Sequence, residues 1–142
     1  GILNLQDGIL GTTPDDLLVL SAPASVSGGS EQSYVEGPLK KIGNTPFTFP
    51  LGKSSNYQPL SIAAPDNITD TYTAEYFNQD PGESYDTDSR DEGLHNISGS
   101  EYWRLDREIG TNGVQATIGW NSNSDCVYNL DSIRRPAWNG SQ

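Results

Sequence analysis

Carboxylates supply the first chemistry this chain could perform. Asp86, Asp88, Asp91 and Glu92 fall within seven residues, Asp86-Thr87-Asp88-Ser89-Arg90-Asp91-Glu92, at near-alternating positions. Oxygen ligands spaced in this way suit a hard cation such as calcium. The stretch lacks the Asp-x-Asp-x-Asp-Gly pattern with a distal Glu that marks the helix-loop-helix calcium site, and Arg90 sits in its middle. The main expectation is a solvated acidic loop. Calcium is the one candidate metal, and no resident cofactor is expected.

Aromatic residues offer a second kind of site. A pyranose ring packs its apolar face on an open Trp or Tyr ring. Tyr57, Tyr85 and Tyr128 fall in turn-rich segments and are the candidates for such a platform, whereas Trp103 and Trp120 sit in alternating segments where burial is expected. Catalysis is not expected. His95 is the only histidine, and no Gly-x-Ser-x-Gly elbow accompanies it. A chain with 19 acidic residues always holds carboxylate pairs of the kind glycoside hydrolysis uses, but nothing singles out one pair. Cys126 is the only cysteine, which rules out a disulfide within the chain and any cysteine-based zinc site.

Composition narrows the partners. The 142 residues carry a formal net charge of -11, a surface that repels phosphate backbones and anionic lipid, so neither nucleic acid nor membrane insertion is expected. No apolar run approaches the roughly 18 residues a spanning helix needs. Apolar residues make up 33% of the chain, and with 15 glycines the core must be built mainly from Leu, Ile, Val, Tyr and Trp. Methionine is absent, which implies a chain that starts after processing or belongs to something longer.

The elements that must position these residues read as β throughout. Gly, Pro, Asn, Asp and Ser recur every few residues, and the apolar residues between them alternate instead of recurring at three and four. Residues 1–32 stutter: Ile2-Leu3-Asn4-Leu5, Gly8-Ile9-Leu10-Gly11, Leu17-Leu18-Val19-Leu20. Such aliphatic pairs between Gly and Asn fit the rungs of a β-solenoid or, equally, a pair of hairpins. Residues 33–142 read as an antiparallel β-sandwich of about seven strands, at 34–39, 47–49, 60–63, 72–77, 102–106, 114–120 and 132–138. Tyr72, Ala74 and Tyr76 share one face, as do Val114, Ala116, Ile118 and Trp120. Residues 78–93 form a long polar loop, a length that is usually functional or disordered.

Six motifs in order give the chain a resemblance. Tyr-Val-x-Gly-Pro-Leu-x-Lys-x-Gly (34–43), Phe-Thr-Phe-Pro-x-Gly-Lys (47–53), Tyr-x-Pro-Leu-x-Ile (57–62), Thr-Ala-Glu-Tyr-Phe (73–77), Glu-Tyr-Trp-x-Leu-Asp-Arg (101–107) and Trp-Asn-Gly-Ser (138–141) are similar to a module of very large secreted and cell-surface proteins of Bacteroidetes. Many of those proteins end in a signal for the type IX secretion route. The resemblance implies an extracellular, adhesin-like structural module of a surface or filament protein, with copies of itself or neighbouring modules as partners. A non-catalytic carbohydrate-binding module for extracellular polysaccharide is the alternative. Relatives often carry a cysteine where this chain has Ser100, so the resemblance implies that Cys126 is a lone, partly buried thiol, with an intermolecular disulfide as the alternative. They also continue past Trp-Asn-Gly-Ser, so a chain stopping at Gln142 is expected to show an open sheet edge. Asp131-Ser132-Ile133 fits the O-glycosylation pattern of that phylum and makes Ser132 a candidate acceptor.

Overall fold

The stuttering aliphatic pairs of the first forty residues form two successive turns of chain laid one on the other. The computed structural model describes residues 1–88 and 97–124. The first turn holds β1 (Ile2–Leu5), β2 (Leu10–Gly11) and β3 (Leu18–Ser21), and the second holds β4 (Ser25–Gly28), β5 (Val35–Glu36) and β6 (Leu39–Ile42). Each strand of the first pairs with its counterpart in the second, in parallel: Ile2 faces Ser25, Leu10 faces Val35 and Leu18 faces Leu39. Hairpins would have given antiparallel ladders. Leu5 is buried in the core, and Leu3, Leu18, Leu20 and Val26 pack against it from the same two turns. The ladders also cross the expected boundary at residues 32 and 33, joining β2 to β5 and β3 to β6.

Corners between strands demand glycine. The single strand expected at 34–39 is broken into β5 and β6 by Gly37-Pro38. Gly37 adopts a φ of +116°, and a Cβ there would lie 2.2 Å from the Thr12 carbonyl oxygen on the adjacent turn. The Thr12 hydroxyl donates to the Pro38 carbonyl at 2.8 Å and holds the corner closed. Proline removes a ladder donor at the same point, so the strand could not have run through.

Beyond the second turn the pairing becomes antiparallel. The remaining strands are β7 (Phe47–Phe49), β8 (Gly52–Lys53), β9 (Asn56–Tyr57), β10 (Leu60–Ile62), β11 (Thr71–Phe77), β12 (Tyr102–Ile109) and β13 (Ala116–Ile118). β11 lies between β6 and β12, giving a four-stranded sheet in the order β12-β11-β6-β3; β10 lies between β7 and β13. Inward residues of both sheets, Leu39, Phe47, Phe49, Leu60, Ile62, Tyr72, Ala74 and Tyr76, form one buried cluster. The chain is all-β with a sandwich-like core, as its alternating pattern requires. A single 3-10 turn at Pro81–Glu83 is its only helical piece among the described residues.

Two expectations meet the structure differently. The strand expected at 114–120 is confined to Ala116–Ile118, and Trp120, expected inside, is 49% exposed. The ladder to β10 ends at Ile118, so nothing continues the alternation to Trp120. The strand expected at 132–138 lies outside the described residues.

Candidate functional site

Alternation on β11 and β12 creates two faces with different chemistry. Outward from the sheet, Arg104 lies 2.8 Å from Glu75 and 3.2 Å from Asp106, while Lys40 on β6 lies 2.6 Å from Glu108, which also accepts from the Thr73 hydroxyl. These bonds to Lys40 and Thr73 hold the Glu108 carboxyl below the usual range, whereas burial raises that of Glu75. Next to this polar row, Phe77 stacks on Tyr102 with centroids 4.5 Å apart, and the Arg104 guanidinium lies over Phe77 at 5.4 Å.

Tyr85 belongs to this cluster. It meets Tyr102 at right angles, 5.5 Å between centroids. The contact docks the start of the acidic loop onto the sheet. Asp80 caps the 3-10 turn by accepting from the Gly82 amide at 2.8 Å, and Asp86 accepts from the Asp88 amide at 3.0 Å, so each turns its carboxylate on its own backbone. Among the described residues no three His, Cys, Asp or Glu side chains converge in a way that could hold a metal. Asp91 and Glu92, the other two candidate calcium ligands, lie outside the described residues, as do Tyr128, Ser132, His95 and Cys126.

Tyr57 is not brought near Tyr85. It sits half-buried on β9 with its hydroxyl against the Gly29 turn, where a Cβ would come within 2.6 Å, and burial raises its pKa. The two candidate tyrosines among the described residues thus pack on different parts of the chain, each used to hold a loop.

The inner face hides a polar cluster that spacing alone does not reveal. Glu101 is 6% exposed, just before β12, and accepts from the Tyr76 hydroxyl at 2.7 Å and from the Gln58 amide at 3.2 Å. The Tyr76 oxygen accepts from Asn56 at 2.7 Å; Asn56 in turn accepts from Asn121 at 2.8 Å, and Gln58 donates to Ser124 at 3.2 Å. The Trp103 indole N–H donates to the Gln58 carbonyl at 3.1 Å. Burial, then the neighbouring Glu101 carboxylate, pushes the Tyr76 hydroxyl far above the ordinary phenol range. Every polar group here has a partner, which makes the cluster a pin joining β9, β11, β12 and the 121–124 turn.

A third feature is an open edge. Among the described residues β1, β2 and β3 each have a neighbour on one side only, toward the second turn. Along residues 8–12, around β2, the amides of Gly8, Leu10 and Thr12 all donate to that second turn, to the carbonyls of Gln32, Tyr34 and Glu36. The amides of Ile9 and Gly11 therefore point away from it, toward the open side. Ile2, Leu10 and Val19 on these strands are exposed, at 70%, 37% and 43%, as is Ile9 just before β2, at 47%. On the far side of the second turn β6 pairs with the antiparallel strand β11 and Val35 of β5 bridges Leu51, whereas β4 pairs only with β1 among the described residues.

No family model matches this chain, and neither a curated protein nor a solved structure matches it.

Proposed function

We propose that this chain is an extracellular structural module of a larger surface or filament protein, and that it works in assembly by accepting a β-strand along the edge formed by β1, β2 and β3. The observation that carries this reading is the open edge. It presents three strands, each in a different sheet and each paired only toward the second turn, with the amides of Ile9 and Gly11 turned outward and several aliphatic side chains exposed. Natural proteins protect such edges with charge, proline or a covering element because unpaired strands recruit other chains. Asp7, Asp15 and Asp16 flank the edge in the connecting turns, but no Lys or Arg occurs before Lys40. The acidic composition and the motif resemblance support the surface location.

On the far side of the second turn β11 covers β6, so a copy cannot continue the β3-β6 ladder there. The edge receives the same edge of a second copy of the chain. Between two copies, the aspartates oppose pairing at low salt and are screened as salt rises.

Substituting Ile9 by Pro tests this reading. It removes one outward amide while leaving the bonds to the second turn intact, and proline is tolerated on an edge in that orientation. Self-association of the parent that disappears in Ile9→Pro, with the melting temperature held within a few degrees, is the expected result. Association that survives in Ile9→Pro would place the contact elsewhere.

A further inference from the structure

All three ladders between the first and second turns run the same way, so β1, β2 and β3 open toward one side. Their backbones alternate in step. In β1 the carbonyls of Gly1 and Leu5 accept from Ser25 and Gly29 of the second turn, which turns the backbone groups of Ile2 and Asn4 outward. Just past β3 the Ala22 amide donates to Ile42, which turns Val19 and Ser21 outward. Around β2 the outward pair is Ile9 and Gly11. No proline stands at any of these six positions.

Side chains repeat the pattern. Leu3, Leu10 and Leu18 stand over Val26, Val35 and Leu39, on the core side of their strands, and alternation puts Leu5 and Leu20 on that side too. Val35 is fully buried, yet Leu10 above it is 37% exposed. It is a core position that lacks the next layer.

A two-fold contact needs a self-complementary surface. Turning one coil end over onto another reverses the order of its three sides. One strand then meets itself antiparallel, and the other two exchange partners. β1 and β3 are each 4 residues long and β2 is 2, so only an axis through β2 matches every strand with one of equal length.

Resting on the reading that this edge receives a second copy, we propose that the pairing is isologous about a two-fold axis at Leu10. β2 lies against β2, and β1 against β3 of the other copy. Backbone parity and full overlap of the strands set the register. Ile9 and Gly11 exchange bonds across the axis, Ile2 pairs with Ser21, and Asn4 pairs with Val19. In that register every core-side leucine meets another: Leu10 its own counterpart, Leu3 against Leu20, and Leu5 against Leu18. The two cores become continuous, and Leu10 gains the layer it lacks. The contact closes at two copies, so within a larger protein it joins two chains and does not propagate.

Single cysteines placed in a Cys126→Ser chain test the arrangement, with sedimentation velocity run on the same samples. Leu10→Cys should cross-link to itself under a mild oxidant, because a non-hydrogen-bonded antiparallel pair brings its Cα atoms to about 4.5 Å, within disulfide range. Asn4→Cys and Val19→Cys, both at exposed positions, should each stay uncross-linked alone. Mixed, they should give at least about tenfold more covalent dimer than either alone. Sedimentation should level off at twice the 15.4 kDa of one chain. Association in which Leu10→Cys stays reduced, or in which Asn4→Cys or Val19→Cys links to itself, overturns the arrangement and leaves the open-edge reading standing. So does growth beyond two copies. A chain that stays single under every condition overturns both.

Discussion

Replacing Tyr76 with Phe removes one oxygen and disturbs three elements at once. That hydroxyl directly bridges Asn56 on β9 and Glu101 ahead of β12, donating to the carboxylate at 2.7 Å and accepting from the amide at 2.7 Å. Glu101 loses a bond to a charged group, worth about 1.5–3 kcal/mol, and Asn56 keeps a buried donor without an acceptor, a penalty of about 1–3 kcal/mol. Gln58 still donates to Glu101, which offsets part of the loss. The expected destabilisation is about 2–4 kcal/mol. At roughly 4 °C per kcal/mol for a chain of this size, the melting temperature falls by about 8–16 °C. Urea unfolding followed by tryptophan fluorescence is a suitable assay, because Trp103 is bonded into the same cluster through Gln58. A double-mutant cycle with Glu101→Leu should show the two changes to be non-additive by about 1 kcal/mol or more. If Tyr76→Phe stays within about 0.5 kcal/mol of the parent, the cluster holds nothing together and the reasoning fails.

Other perturbations follow from the same geometry. Gly37→Ala forces a Cβ against the Thr12 carbonyl as well as an unfavourable φ, so it should destabilise by about 2 kcal/mol more than Gly8→Ala, where φ is also positive but the space is open; paired urea curves measure the difference. Because burial lowers the Lys41 pKa in the fold, the folded state binds fewer protons, and stability rises with pH until the unfolded lysine titrates near about 10.4. Lys41→Met should raise the melting temperature and flatten that rise. The raised Tyr76 pKa acts oppositely: its contribution is present below the unfolded phenol pKa of about 10 and is lost as pH climbs above it, a limb that Tyr76→Phe should weaken. The lowered Glu108 pKa gives stability that is present above about 4.3 and lost as pH falls through the folded value, so Glu108→Gln should flatten the acid side of a stability profile.

Much of the β framework was legible because period-2 patterning survives burial on one face. Thr71–Phe77 reads directly: Tyr72, Ala74 and Tyr76 point to the core, and Glu75 and Phe77 point out. The break at Gly37-Pro38 was hidden because an alternating apolar pattern continues on both sides of it. Trp120 was placed inside by extending an alternation one ladder position too far. The parallel stacking of the first two turns left only short aliphatic pairs as a signal, equally suited to hairpins. Glu101 and Lys41 were invisible for another reason. A charged residue reads as solvated unless its surroundings are known, and the nearest partner of Glu101, Tyr76, lies 25 positions away. The tyrosine candidates were sought as open platforms, but Tyr85 and Tyr57 are occupied in holding loops.

The open edge is tested most directly by sedimentation velocity of the chain and of Ile9→Pro, across about two decades of concentration and at low and high salt. Strand addition at β1, β2 and β3 predicts a parent mass above the 15.4 kDa of a single chain, increasing with salt, and an Ile9→Pro variant that stays at 15.4 kDa. A parent that remains at 15.4 kDa under every condition, or a variant that associates as the parent does, would contradict it.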